Sequence, residues 1–359
     1  MQKYKLNYRD LVRQGGNFRK KGDYLRVQTI LPVMRLIGWC KNIDCECEHH
    51  FRRIFRPSVM TAMVQQKYLR PYSAAYGWRL TPAGYAWLFE QGFPMQADRH
   101  TQRVNRRFEN AAVVLTMYAA GIDPFADSLA ALREKGEYLS ASVLRGREGQ
   151  HPIGISLVSG FLRLGGTMFA VHYPQTTQRV IIQREIDCAQ SAMLGSGCTE
   201  QAYLLCGSSY TDIYRALLEE QTSCTGKRVS YARFYQQISP AYLLPCNKDG
   251  VLQLRLMQVA NYRPRLAKML GAPITGTHLS DCDFFSADFQ FPARIVADME
   301  LRQVFRAAQQ ARAAGYHGLL LAAFESQKRF LSQIFPPPFF HVAVIDEQAL
   351  CIMEMGADL

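Results

Sequence analysis

Residues 24–38 read YLRVQTILPVMRLIG, with Leu25, Ile30, Leu31, Val33, Met34 and Ile37 recurring at the spacing of one helix face. Pro32 falls inside this run. It is expected to kink or split the helix, because it donates no N–H and crowds the preceding turn. A second, short helix is expected over 46–55, with Phe51, Ile54 and Phe55 on one face. Arg56-Pro57-Ser58 then reads as a turn, with Ser58 as N-cap of a third helix over 59–67. That helix is expected to bury Val59, Met60, Met63 and Val64 and to expose Thr61, Gln65, Gln66 and Lys67. Tyr68-Leu69-Arg70 forms a short strand, 71–76 a loop tip and 77–80 the returning strand. Thr81 caps a fourth helix with Pro82 at its first position, and Gly92 ends it.

Three helices, a hairpin and a closing helix follow the winged helix-turn-helix order, in which the third helix enters the major groove and the hairpin follows the backbone or minor groove. The stretch Tyr68-Leu69-Arg70, followed by Tyr76-Gly77-Trp78-Arg79-Leu80-Thr81-Pro82-Ala83-Gly84-Tyr85, resembles the wing and helix start of such proteins. With the long α/β region behind it, the chain resembles in particular the replication-relaxation proteins of plasmids and integrative conjugative elements. The resemblance implies replication, transfer or transcription control in a mobile genetic element. It also implies a restriction-endonuclease-like second domain, often without its catalytic residues.

From residue 111 the pattern becomes mixed α/β. Strands are expected at 154–159, 168–173, 202–206, 241–244, 294–297, 319–324, 341–345 and 350–355. Helices are expected at 180–194, 211–221, 299–314 and 326–335. The fold class is therefore α+β: a basic arm (1–22), a winged helix-turn-helix (23–94), a basic linker (95–110) and an α/β domain (111–359). The sequence shows no internal repeat.

Charge sharpens this division. The net charge is +12 over 359 residues. Residues 1–110 hold 20 Lys/Arg against 8 Asp/Glu, and residues 111–359 hold 22 of each. All of the excess sits in the first third, as a phosphate-binding module requires. In the linker, Arg99, Arg103, Arg106 and Arg107 read equally as a solvated helix face or as further phosphate contacts. The first residues lack the apolar core of a secretory signal, and no run approaches a membrane span. A soluble, cytoplasmic protein with reduced thiols is expected, without a membrane partner.

Candidate chemistry is sparse. Cys40, Cys45, Cys47, His49 and His50 crowd eleven residues, but the spacing lacks the paired knuckles of a zinc site and favours a loop and helix start. A nuclease of the implied fold needs carboxylates and a lysine around a central strand. Residues 167–173 have neither. Glu185 and Asp187 read as a solvated helix face. Asp298 and Glu300 form the best carboxylate pair, read more simply as the acidic start of a helix. Glu325 and Lys328 have a similar reading. Gly207-Ser208-Ser209 could hold an anion at a helix start but is explained by a plain turn. Asp281, Asp283 and Asp288 form an acidic patch facing a basic partner or solvent.

The expected function is duplex DNA binding without enzymatic activity or cofactor. Arg19, Lys20 and Lys21 would serve as the arm, and Ser58, Thr61, Gln65, Gln66 and Lys67 as the recognition helix. Arg70, Tyr72, Trp78 and Arg79 would form the wing. The second domain would serve a homodimer or another protein contact. The alternatives are a metal-dependent nuclease targeted by the winged helix, and a winged helix that binds protein.

Overall fold

The computed structural model describes residues 21–73, 77–95, 104–132, 136–145, 158–174, 182–194, 196–219, 221–222, 228–229, 231–274, 277–286 and 288–354. The chain is mixed α and β and divides into two compact units, Met1–Leu115 and Thr116–Leu359. Among the described residues no helix is long and apolar enough to cross a membrane.

Unit 1 opens on α1 (Lys21–Cys40), which continues through Pro32. Pro32 is exposed, as is Gln28 one turn earlier. The carbonyl that loses its donor therefore lies on the solvent side, where water can satisfy it. The opposite face buries Ile30, Val33, Met34 and Ile37. Short α2 (Cys45–His50) is capped by Asp44, whose carboxylate accepts the Cys47 N–H at 2.6 Å. Next come α3 (Pro57–Gln65), β1 (Leu69–Ser73), β2 (Gly77–Leu80) and α4 (Pro82–Glu90).

The hairpin gains a third member that the sequence did not suggest. Ile43, between α1 and α2, exchanges backbone hydrogen bonds with Trp78 at 3.0 and 2.7 Å. This contact needs the glycine at 77. Its φ is +82°, and a Cβ there would stand 2.0 Å from the Ile43 carbonyl oxygen.

Helix α5 (Val104–Ala119) leads into unit 2, which repeats one succession twice. The first half holds β3 (Glu137–Ser140), α6 (Ala141–Arg145), β4 (Val158–Leu164), β5 (Thr167–His172) and α7 (Ile182–Leu194). It continues through β6 (Glu200–Gly207), α8 (Tyr210–Leu218), the small pair β7 (Gln221–Thr222) and β8 (Arg228–Val229), α9 (Ala232–Gln237), β9 (Ala241–Pro245) and α10 (Lys248–Gln258). The second half holds α11 (Tyr262–Leu270), β10 (Ala272–Pro273), β11 (Phe284–Ser286), β12 (Phe291–Ile295) and α12 (Arg302–Ala313). It closes with β13 (Leu319–Ala323), α13 (Glu325–Ile334), β14 (Phe340–Val344) and α14 (Glu347–Glu354).

Each half forms a five-stranded sheet, β3-β4-β5-β6-β9 and β10-β11-β12-β13-β14. In both, the second strand runs antiparallel to its neighbours and the last three are parallel. One core joins them, taking Phe161, Met168, Leu205 and Leu243 from the first sheet and Leu319 and Leu321 from the second.

Several elements depart from expectation: the helix expected over 46–55 is α2, ending at His50, and the one expected over 211–221 is α8, ending at Leu218 with Gln221 already in β7. Of the expected strand 350–355, residues 350–354 belong to helix α14, and the last position lies outside the described residues: Ala349, Leu350 and Met353 are the buried positions, a helical spacing. Part of the expected strand 154–159 lies outside the described residues, and β4 begins at Val158.

Candidate nucleic-acid interface

Helix α3 starts two residues earlier than its sequence suggests. Arg56 is the N-cap, without a side-chain cap bond, and Pro57 takes the first position. The proline ring presets the first-turn φ and has no N–H to satisfy, so Ser58 is not the cap. It is an exposed residue of the first turn. Ser58, Thr61 and Gln65 share the exposed face, while Val59, Met60 and Met63 are buried behind it. Val64, expected in the core, is 39% exposed.

Gln66 is the C-cap and half-buried. Lys67 lies past the helix at φ 60°, its N–H bonded to the Val64 carbonyl at 2.9 Å, while the Tyr68 N–H reaches the Met63 carbonyl at 2.9 Å. This paired closure ends the helix in a left-handed residue. Lys67 is therefore exposed beyond the end of α3 rather than on its face. Thr81 fixes the next step. Its hydroxyl donates to the Lys67 carbonyl at 2.5 Å and accepts the Gly84 N–H at 3.1 Å as cap of α4. A Cβ at Gly84 would stand 2.4 Å from the Tyr68 carbonyl oxygen.

In the hairpin, Leu69 and Leu80 turn into the core, and Arg70 pairs across the strands with Arg79. Arg70 is exposed. The Arg79 guanidinium lies over the Tyr72 ring at 5.0 Å, and that ring meets Phe108 edge-on at 6.3 Å. Trp78 is half-buried, and its indole N–H donates to the Glu48 carboxylate at 2.7 Å. Tyr72, Trp78 and Arg79 thus pack within the hairpin, and Arg70 is presented to solvent. Arg19 and Lys20 lie outside the described residues, and Lys21 opens α1.

Sequence reasoning passed over three residues. Arg52, Arg53 and Arg56, between α2 and α3, are all exposed. The signal was the run FRRIFRP, three arginines in five residues directly before α3. The neighbouring acids are engaged elsewhere: Asp44 caps α2, Glu48 holds Trp78, and Glu46 stands 3.6 Å from His50. None of Arg52, Arg53, Arg56, Lys67 and Arg70 pairs with a carboxylate among the described residues. In the linker helix, Arg106 faces Glu109, whose carboxyl is pushed up to about 7 by burial and held back by that arginine.

The cysteine-histidine cluster is split. Cys40 and Cys47 are buried, and burial pushes the Cys40 thiol up to about 12. Cys45, His49 and His50 are exposed. Among the described residues no three His, Cys, Asp or Glu side chains converge as metal ligands.

The carboxylates of unit 2 are drawn into its framework. Asp298 is fully buried and accepts from the Arg263 guanidinium and the Tyr262 hydroxyl. Glu300 is also buried, and its carboxylate accepts the Gln303 N–H at 3.0 Å in the first turn of α12. Burial raises its pKa. Asp283 accepts the Ile295 N–H at 2.7 Å and faces Arg263 at 3.3 Å and Arg294 at 3.6 Å, so it belongs to the interior. Glu185 is likewise buried rather than solvated, on the same face of α7 as Ile186 and Ala189. Asp187 of that helix is exposed.

At Gly207-Ser208-Ser209, both serine hydroxyls donate to Asp212, at 2.7 and 2.6 Å, and hold its carboxyl below the usual range. The start of α8 is thus met by its own carboxylate. Comparison with protein-family models, curated proteins and solved structures finds no match to this chain.

Proposed function

We propose that unit 1 is a winged helix-turn-helix that binds duplex DNA, with α3 as the recognition helix and the β1–β2 hairpin as the wing. The carrying observation is the set of exposed cations on either side of α3 that have no carboxylate partner among the described residues: Arg52, Arg53 and Arg56 before it, Lys67 and Arg70 after it. Unpaired cations flanking a helix face suit contact with two phosphate strands bordering a groove. The element order and the Ile43–Trp78 bridge support the same reading.

Unit 2 is read as a protein-contact or homodimerisation unit derived from a restriction-endonuclease-like fold. Exposed Phe289 and Phe305 favour that role. Asp298 and Glu300 act as an ion-pair partner and a helix cap, so the reading assigns no nuclease chemistry to them. The setting, carried from the resemblance in the wing, is replication, transfer or transcription control of a mobile element in the cytoplasm.

An anisotropy titration of labelled duplex DNA with the full chain, at two salt concentrations, tests the proposal. Affinity that falls steeply with salt is expected. Undetectable binding at low salt would overturn it.

A further inference from the structure

The exposed face of α3 carries no charge. It presents Ser58, Thr61, Val64 and Gln65, and every nearby cation lies off the helix, in the turn before it or in the residues after it. A surface that only gripped phosphate would place cations on the helix as well. A surface that read guanine would hold an arginine or lysine for O6 and N7, and one that read cytosine would hold a carboxylate for N4. This face has none of these.

What it has matches the other base pair. The Gln65 amide offers one donor and one acceptor side by side, the complement of adenine N7 and N6. Thr61 and Val64 precede Gln65 by four and one positions, and Thr61 and Val64 are three apart. Thr61 therefore neighbours Gln65 on one side and Val64 on the other, so the three side chains share one face with Thr61 between them. Apolar groups there meet the C5-methyl of thymine, which distinguishes A·T from every other pair in the major groove. The 39% exposure of Val64 is then a placement at a ligand rather than an imperfect core position.

We infer that α3 reads A·T base pairs at the centre of its DNA site, with Gln65 setting the adenine and Val64 and Thr61 the thymine methyl, while Arg52, Arg53, Arg56, Lys67 and Arg70 hold the flanking phosphates. The inference rests on the duplex-binding reading above and specifies its substrate.

The test is selection of bound sequences from a pool of random duplexes with the full-length chain, repeated with Gln65→Ala and Arg53→Ala. Both positions are exposed, and circular dichroism of each variant checks that it is folded. Wild type should enrich sites with an A·T core. Gln65→Ala should lose about tenfold to a hundredfold in affinity for the selected site and keep its affinity for unrelated duplex. Arg53→Ala should weaken both equally. A selected core of G·C pairs, or a Gln65→Ala loss shared equally by selected and unrelated duplex, overturns the A·T assignment while leaving DNA binding intact. Absence of any duplex binding at low salt overturns the parent reading, and this inference with it.

Discussion

Arg70 and Arg79 stand directly opposite one another in the β1–β2 hairpin. Like charges in this position repel, and the sheet offers no carboxylate between them among the described residues. Arg79 is steadied by the face of Tyr72, whereas Arg70 projects into solvent. A phosphate at the hairpin would relieve the repulsion. Arg70→Ala should therefore weaken duplex binding severalfold while leaving thermal stability unchanged or raised by a few tenths of a kcal/mol. Anisotropy and calorimetry on the same preparation check both halves of this expectation. Stability lost together with binding would assign Arg70 to the fold instead.

Gly77→Ala should unfold the hairpin. The added Cβ meets a backbone oxygen, which cannot swing aside, and the φ of +82° is strained for alanine as well. A loss of more than about 2 kcal/mol is expected, read by thermal unfolding. A stability equal to wild type would contradict the Ile43–Trp78 bridge.

In unit 2 the corresponding keystone is polar. The Tyr210 hydroxyl donates to Gln253 at 2.9 Å and accepts from Gln327 at 3.0 Å, linking helices of both halves. Gln253 also donates to the carbonyls of Leu243 and Asp298, at 2.9 and 2.7 Å. Gln253→Leu strands three buried groups at once. It should cost more than about 3 kcal/mol in urea denaturation, and Tyr210→Phe about 1–3 kcal/mol. Near-neutral effects at both positions would show that the two halves do not depend on this node.

His172 makes unit 2 sensitive to acid. It is buried between Tyr203 and Phe234, with ring centroids 6.0 and 4.9 Å away, and its Nε2 has no hydrogen-bond partner among the described residues. Burial pushes its pKa down from 6.5 to about 3. The unfolded chain thus takes up a proton that the fold refuses. Stability is fully present above about pH 6.5 and is lost as pH falls toward 3, at up to about 1.4 kcal/mol per pH unit. Chemical denaturation at pH 7 and pH 5 should show wild type losing up to about 2 kcal/mol more than His172→Phe. Identical pH dependence in the two proteins would contradict the burial of a neutral ring.

What the sequence discloses follows the range of the forces involved. Elements α3, β1, β2 and α4 are marked by local punctuation at Pro57, Gly77, Thr81-Pro82 and Gly92, and they lie close to their expected places. Charge segregation needs only counting. The Ile43 bridge joins positions 35 residues apart and leaves no local pattern. The doubled topology of unit 2 was invisible because equivalent strands differ in length and sequence, Glu137–Ser140 against Ala272–Pro273 at the first position. Helix α10, KDGVLQLRLMQ, alternates apolar and polar residues over part of its length and gives no clean helical period. Beside α3, Arg52 and Arg53 stand out only through having no carboxylate partner among the described residues, which the fold and not the local pattern discloses. The bond from the Trp78 indole N–H to Glu48 spans 30 residues and leaves no local pattern either.

The most direct test of the account removes the cations before α3. Wild type and the Arg52→Ala, Arg53→Ala, Arg56→Ala triple variant are titrated against the same duplex DNA over a series of salt concentrations. If the three arginines each neutralise a phosphate, the slope of log affinity against log salt should be shallower in the variant by about 2.7. Affinity at low salt should fall with it, while the thermal unfolding profile stays unchanged. A slope equal to that of wild type, in a variant that remains folded, would contradict the placement of duplex DNA against this face.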